Sequence, residues 1–115
     1  VSRLYTPDRW TVIYYPEQDV HTILGGWWGG YLHGDSWRRS TAVQRAEEDE
    51  QYYYFHNMSG SIYKCAKGSY GTTGMTAGLL AEVKDLGVED VGEDSLPALI
   101  EFYKHDKEEE NEDGH

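Results

Sequence analysis

The chain is poor in cysteine, in positive charge and in long apolar runs. Cys65 is its one cysteine, which excludes an internal disulfide framework and a cysteine-built zinc site and fits a reducing compartment. No stretch approaches the ~18 apolar residues of a membrane span, so a soluble, cytoplasmic protein with no membrane partner is expected. The opening residues Val1-Ser2-Arg3-Leu4-Tyr5 lack the basic-then-apolar pattern of a signal peptide. Ten Lys and Arg stand against 21 Asp and Glu, for a formal net charge of −11. General affinity for a nucleic-acid backbone is therefore disfavoured, because phosphate neutralisation needs excess cations. Catalytic motifs are missing too. There is no GxSxG, and His21, His33, His56, His105 and His115 show no metal-ligand spacing, so neither a metal nor a cofactor is expected. The carboxylates Glu47 to Glu50 sit at an exposed turn, without the burial that tunes an acid–base pair. Cys65, next to Lys64, reads as a small buried hydrophobe rather than a reactive thiol. These absences favour a binding module over an enzyme.

What is present is unevenly spread. Residues 1–80 are nearly neutral at −1, whereas residues 81–115 carry −10; fourteen of the sixteen aromatics lie in residues 1–70. An aromatic-rich body thus carries an acidic C-terminal segment. Residues 9–15 (Arg-Trp-Thr-Val-Ile-Tyr-Tyr) and 20–24 read as a first hairpin around Pro16-Glu17-Gln18-Asp19. Five glycines in residues 25–34 surround Trp27 and Trp28, as a bulged strand covering the core or as a loop offering rings to a ligand or second subunit. Residues 37–46 alternate like a strand, and a turn centred on Glu48-Asp49 would set Arg45 opposite Tyr52 and Val43 opposite Tyr54. Residues 51–57 and 61–65 complete the strands. Met75, Leu79, Val83 and Leu86, with Leu80 beside them, predict a helix capped by Thr72 or Thr73 and stopped by Gly87. A second helix is expected over Ser95 to His105. The layout is α+β: an antiparallel meander β-sheet of about four to five strands, followed by two C-terminal helices. Residues 1–105 form one ligand-binding domain, and residues 106–115 an acidic disordered tail.

Three weak signals converge on an anion. Gly68-x-x-Gly71-x-x-Gly74 precedes a helix with Thr72 and Thr73 between the glycines, and free N–H groups at a helix start favour phosphate. The pattern is not GxxxxGK[ST], so a Walker-type loop is excluded. Lys64 and Lys67 lie just upstream, in a stretch (51–80) that holds no acid. A strand would point Arg38 and Arg39 to opposite faces, so that one could meet a phosphate bidentately while the other pairs with the acidic helix region or stays in solvent. Tyr63 and Tyr70 offer planar faces on which a base could stack.

Two stretches, Gly34-Asp35-Ser36-Trp37-Arg38 and the run from Tyr54 to Gly71 with Ser59-Gly60-Ser61-x-Tyr63-x-Cys65 and Tyr70-Gly71, resemble small phage proteins of the Thoeris anti-defence sponge family. The resemblance covers residues 34–86. It implies a β-sheet body followed by helices, a homodimer or higher homo-oligomer, and non-catalytic sequestration of a cyclic ADP-ribose isomer in an infected host cell. It implies further that Arg38 or Arg39 contacts phosphate, that Tyr63 stacks on the base, and that Thr73 bonds the ribose or phosphate. The competing reading is an acidic inhibitor that binds a host protein directly, for instance by imitating nucleic acid, on the strength of the −10 in residues 81–115.

Overall fold

The computed structural model describes residues 3–29 and 34–113, with side chains as far as Lys104. Among the described residues eight strands run in the order β1 (Leu4–Tyr5), β2 (Arg9–Tyr15), β3 (Val20–Trp27), β4 (Ser36–Arg39), β5 (Val43–Glu48), β6 (Tyr52–Asn57), β7 (Ile62–Ala66) and β8 (Glu89–Asp90). Helix α1 spans Gly74–Asp85, and helix α2 spans Leu96–Asp113 after a short 3₁₀ turn, Glu93–Ser95. The α+β class and the two C-terminal helices stand as expected. The strands, however, divide between two four-stranded sheets: an outer one, β1-β7-β6-β5, and a central one, β4-β3-β2-β8. All pairs are antiparallel except β1 with β7. The expected tail, 106–115, falls on residues whose side chains lie outside the described ones. Among the described residues no helix is long and apolar enough to cross a membrane.

The division has a local cause. Residues 37–46 are one alternating run in sequence, but they break at Ser40. Its N–H donates to the Ile23 carbonyl and its hydroxyl accepts from the Ile23 N–H, both at 2.8 Å. Beyond Ser40 the chain leaves the central sheet and enters the outer one as β5. The β5–β6 turn is likewise displaced from its expected centre. The Asp49 carboxylate accepts from the Gln51 and Tyr52 N–H groups and from the Tyr54 hydroxyl, which fixes a turn around Glu50-Gln51. Arg45 therefore lies opposite His56 and Val43 opposite Asn57, with a bulge between Val43 and Arg45, rather than opposite Tyr52 and Tyr54.

Alternation then sorts the side chains. One face of β2 and β3 carries Trp10, Val12 and Ile23, which pack on Phe55, Tyr63 and Cys65 of the outer sheet and on Leu96 and Ile100 of α2. Trp10 is fully buried, and its indole N–H donates to the Ala66 carbonyl at 2.9 Å, tying the two sheets together. The other face carries Ile13 and Leu24 and is covered by Leu80 and Val83 of α1. The helix packs along Thr76 and Leu80, while Met75 and Leu86, which the spacing placed on the same stripe, are exposed. Thr73 is its N-cap, in a reciprocal capping box with Thr76. Gly87, at φ 92°, ends it with Gly87 N–H to Lys84 carbonyl and Val88 N–H to Val83 carbonyl bonds.

Candidate functional site

Strand β4 forms one edge of the central sheet, and all four of its residues are exposed. Between this edge and α1 lies a cleft of about 570 Å³. Its floor is apolar: Ile13 and Leu24 from the sheet, Leu79 and Val83 from the helix. Its rim is aromatic and cationic: Tyr15, Trp37, Arg38 and Arg39. Trp37 is 47% exposed. The Arg39 guanidinium donates to the Tyr15 hydroxyl at 3.0 Å and lies 5.7 Å from that ring's centroid. A second hollow of about 380 Å³, on the other side of β4, is lined by Tyr5, Trp27, Ser36, Trp37 and Arg38. There the Arg38 guanidinium sits 4.7 Å from the Tyr5 ring centroid, a cation–π contact. The edge strand thus presents Trp37 and Arg38 to both hollows.

Charge gathers at this edge. Among the described residues neither Arg38 nor Arg39 has a carboxylate partner, whereas Arg45, Lys67 and Lys104 are paired with Glu47 or Glu48. In a chain of net charge −11, these two guanidinium groups have no carboxylate partner among the described residues, that of Arg39 resting on Tyr15 at the apolar cleft and that of Arg38 on Tyr5 in the second hollow. A guanidinium held only by a phenol or a ring retains its N–H donors for a stronger anionic acceptor.

The remaining expected site residues are scattered. Tyr63 is 1% exposed and covered by Tyr5, ring centroids 5.1 Å apart, so the ring available for stacking near Arg38 is Tyr5. Burial pushes the Tyr63 phenol up, an effect partly offset by the charge of Arg38, so the two residues feel one another across Tyr5. Lys64 lies on the solvent side of the outer sheet, 4.3 Å from the Tyr52 ring centroid. Lys67 is bound to Glu48 at 2.6 Å. That hydrogen bond holds the Glu48 carboxyl below, and the Lys67 ammonium above, their ordinary ranges. Tyr70 is a structural pin: its hydroxyl donates to Asp90 Oδ1 at 2.7 Å and accepts from the N–H groups of Val12 and Gly92. Thr73 is 3% exposed, with its hydroxyl engaged in the capping box. Its neighbour Thr72 is half-buried outside both hollows. The Thr73 side chain is packed against Gly26, at which a Cβ would lie 2.8 Å from it, while Gly68 and Gly74 of the glycine-rich entry to α1 have open space beside them.

Of the expected residues, then, Arg38 and Arg39 line the cleft, with Tyr15 and Trp37 beside them, while Tyr5 meets Arg38 in the second hollow. Trp37 was adjacent in sequence. Tyr5 arrives through β1–β7 pairing, for which local sequence carries no signal, and Tyr15 through the β2–β3 hairpin together with β3–β4 pairing. Among the described residues no three His, Cys, Asp or Glu side chains are placed to hold a metal ion. Comparison with protein-family models, with curated proteins and with solved structures finds no match.

Proposed function

We propose that this chain is a non-catalytic binding protein that holds a small phosphorylated nucleotide, of the cyclic ADP-ribose class, at the Arg38–Arg39 edge and sequesters it without cleavage. In that role it would act in the cytoplasm of an infected cell, as the phage sponge proteins it resembles do. The observation that carries the reading is the pair of guanidinium groups, free of carboxylates among the described residues, bordering an apolar, ring-rimmed cleft. Phosphate oxygens would draw Arg38 and Arg39 from their neutral partners, at about 1.5–3 kcal/mol per charge-assisted hydrogen bond. A base stacked on Trp37 or Tyr5 would add about 1–3 kcal/mol. Together with burial against Ile13, Leu24, Leu79 and Val83, these terms offset the cost of association toward the range of about −8 to −12 kcal/mol that sub-micromolar capture requires. A homodimer or higher homo-oligomer would close the exposed side of the cleft.

The test is calorimetry with cyclic ADP-ribose isomers, followed by mass spectrometry of ligand released by heating. Arg38→Ala with Arg39→Ala should abolish binding while leaving the melting temperature within a few degrees of the parent. Recovery of cleaved ligand would make the protein an enzyme. Absence of binding to every phosphorylated nucleotide offered would move the function to direct protein binding through the acidic C-terminal segment.

A further inference from the structure

Next to the cleft, covered and not among its lining residues, is a polar group with nothing to bond. Thr22 is 6% exposed, and its hydroxyl has no hydrogen-bond partner among the described residues. An unbonded buried hydroxyl is unfavourable, and valine has the same shape without that cost. The strand register says what surrounds it. Thr22 lies directly opposite Ile13 and, on the same face of β3, two residues from Leu24. Leu24 in turn lies opposite Arg39, and Tyr15, two residues from Ile13, lies opposite Val20. The Arg39–Tyr15 hydrogen bond therefore spans from the row of Leu24 to the row of Val20, and Thr22 occupies the row between them. Of its neighbours on this face, Ile13, Leu24, Arg39 and Tyr15 line the cleft, while Val20 and Thr11 do not. Thr11 is also unbonded, but it sits one row nearer Gly26, where the capped start of α1 is packed.

We infer that the Thr22 hydroxyl is a ligand-reading group beneath the Arg39–Tyr15 bridge, uncovered when a ligand phosphate takes Arg39 from Tyr15, and that it selects a ligand carrying a sugar hydroxyl as well as a phosphate. The inference rests on the reading of the cleft as a phosphorylated-ligand site. It assigns recognition of the nucleotide's sugar hydroxyl to one residue. A guanidinium–phosphate contact is roughly twice as strong as one to a neutral acceptor, so the phenol is the partner that yields. The hydroxyl then exposed, able both to donate and to accept, completes a hydrogen bond that the free protein lacks.

Calorimetric titration of the wild-type protein, Thr22→Val and Thr22→Ser with cyclic ADP-ribose and, separately, with inorganic phosphate tests this. Thr22→Val should bind cyclic ADP-ribose about tenfold more weakly, bind inorganic phosphate as the parent does, and melt at or above the parent's temperature. Thr22→Ser should bind cyclic ADP-ribose nearly as the wild type does. Undiminished cyclic ADP-ribose affinity in Thr22→Val overturns this inference alone, as does an equal loss for both probes, which would mark an effect on the fold. Wild-type binding of inorganic phosphate without cyclic ADP-ribose also removes the sugar-reading role but leaves the anion cleft. Wild-type binding of neither probe overturns both readings.

Discussion

Replacing Tyr70 with Phe separates a structural role from a ligand role at a residue whose sequence context pointed to the ligand. The Tyr70 hydroxyl meets three groups at once: the Asp90 carboxylate at 2.7 Å, the Val12 N–H at 3.1 Å and the Gly92 N–H at 3.0 Å. Gly92 keeps a second bond, to Asp90 Oδ1 at 3.1 Å, so its N–H is not stranded by the substitution. Val12 is fully buried, and its N–H would lose the Tyr70 oxygen, which costs about 1–3 kcal/mol. Asp90 would lose a charge-assisted donor of similar worth. The expected loss is about 3 kcal/mol, or a fall in melting temperature of roughly 12 °C for a domain of this size. The phenyl ring should keep its edge-on contact with Trp10, whose ring centroid is 4.9 Å away. Thermal melts followed by tryptophan fluorescence would measure the loss, and calorimetry below the transition would measure nucleotide binding. A destabilisation under about 1 kcal/mol would refute the reasoning from hydrogen bonds. So would a loss of nucleotide affinity in a protein that remains folded.

Two other perturbations test the packing and the titration. Gly26→Ala would bring a Cβ to 2.8 Å from Thr73 side-chain atoms and 3.0 Å from Thr76 Cγ2, and should displace the capped end of α1 at a cost of about 1–3 kcal/mol in denaturant titrations. Burial holds the His21 imidazole below its ordinary 6.5, where its Nδ1 meets the Tyr103 hydroxyl at 2.8 Å and links β3 to α2. The unfolded chain therefore takes up that proton first. Stability should decline as the pH falls from about 6.5 toward the lower folded-state value, and His21→Gln should flatten this part of the melting profile. Glu47, Glu48 and Asp49, whose carboxyls are held down by His56, Lys67 and Tyr54 respectively, lose their contribution only further down, as the pH passes below the ordinary carboxylate values.

Most strands and helices that are regular over five or more residues were legible because alternation and helical spacing are local; β5, Val43–Glu48, was the exception. The run Arg9–Tyr15, the aromatic ladder Tyr52–Asn57 and the cap of α1 at Thr73 all follow from neighbours in sequence. The break at Ser40 was not legible, because it depends on two hydrogen bonds to Ile23, seventeen residues away. The parallel pairing of Leu4-Tyr5 with Ile62-Tyr63 was hidden for the same reason. At the site, Arg38 and Arg39 could be named from charge alone. Assigning Tyr63 to stacking overlooked that it alternates in phase with Cys65 on β7 and therefore faces inward with it. Lys67 and Tyr70 were drawn from the right residue types, but their partners, Glu48 and Asp90, lie nineteen and twenty residues distant and decide their roles.

The placement of the indoles gives this protein its own optical gauge. Trp10 is sealed between the two sheets, whereas Trp28 and Trp37 are 55% and 47% exposed. Emission from the first should be blue-shifted and respond only when the sandwich comes apart. Emission from Trp37 should be red-shifted, reachable by a soluble quencher such as iodide, and shielded when the edge strand is occupied. Unfolding and occupancy can therefore be followed in a single unlabelled sample, at two wavelengths and with no added dye.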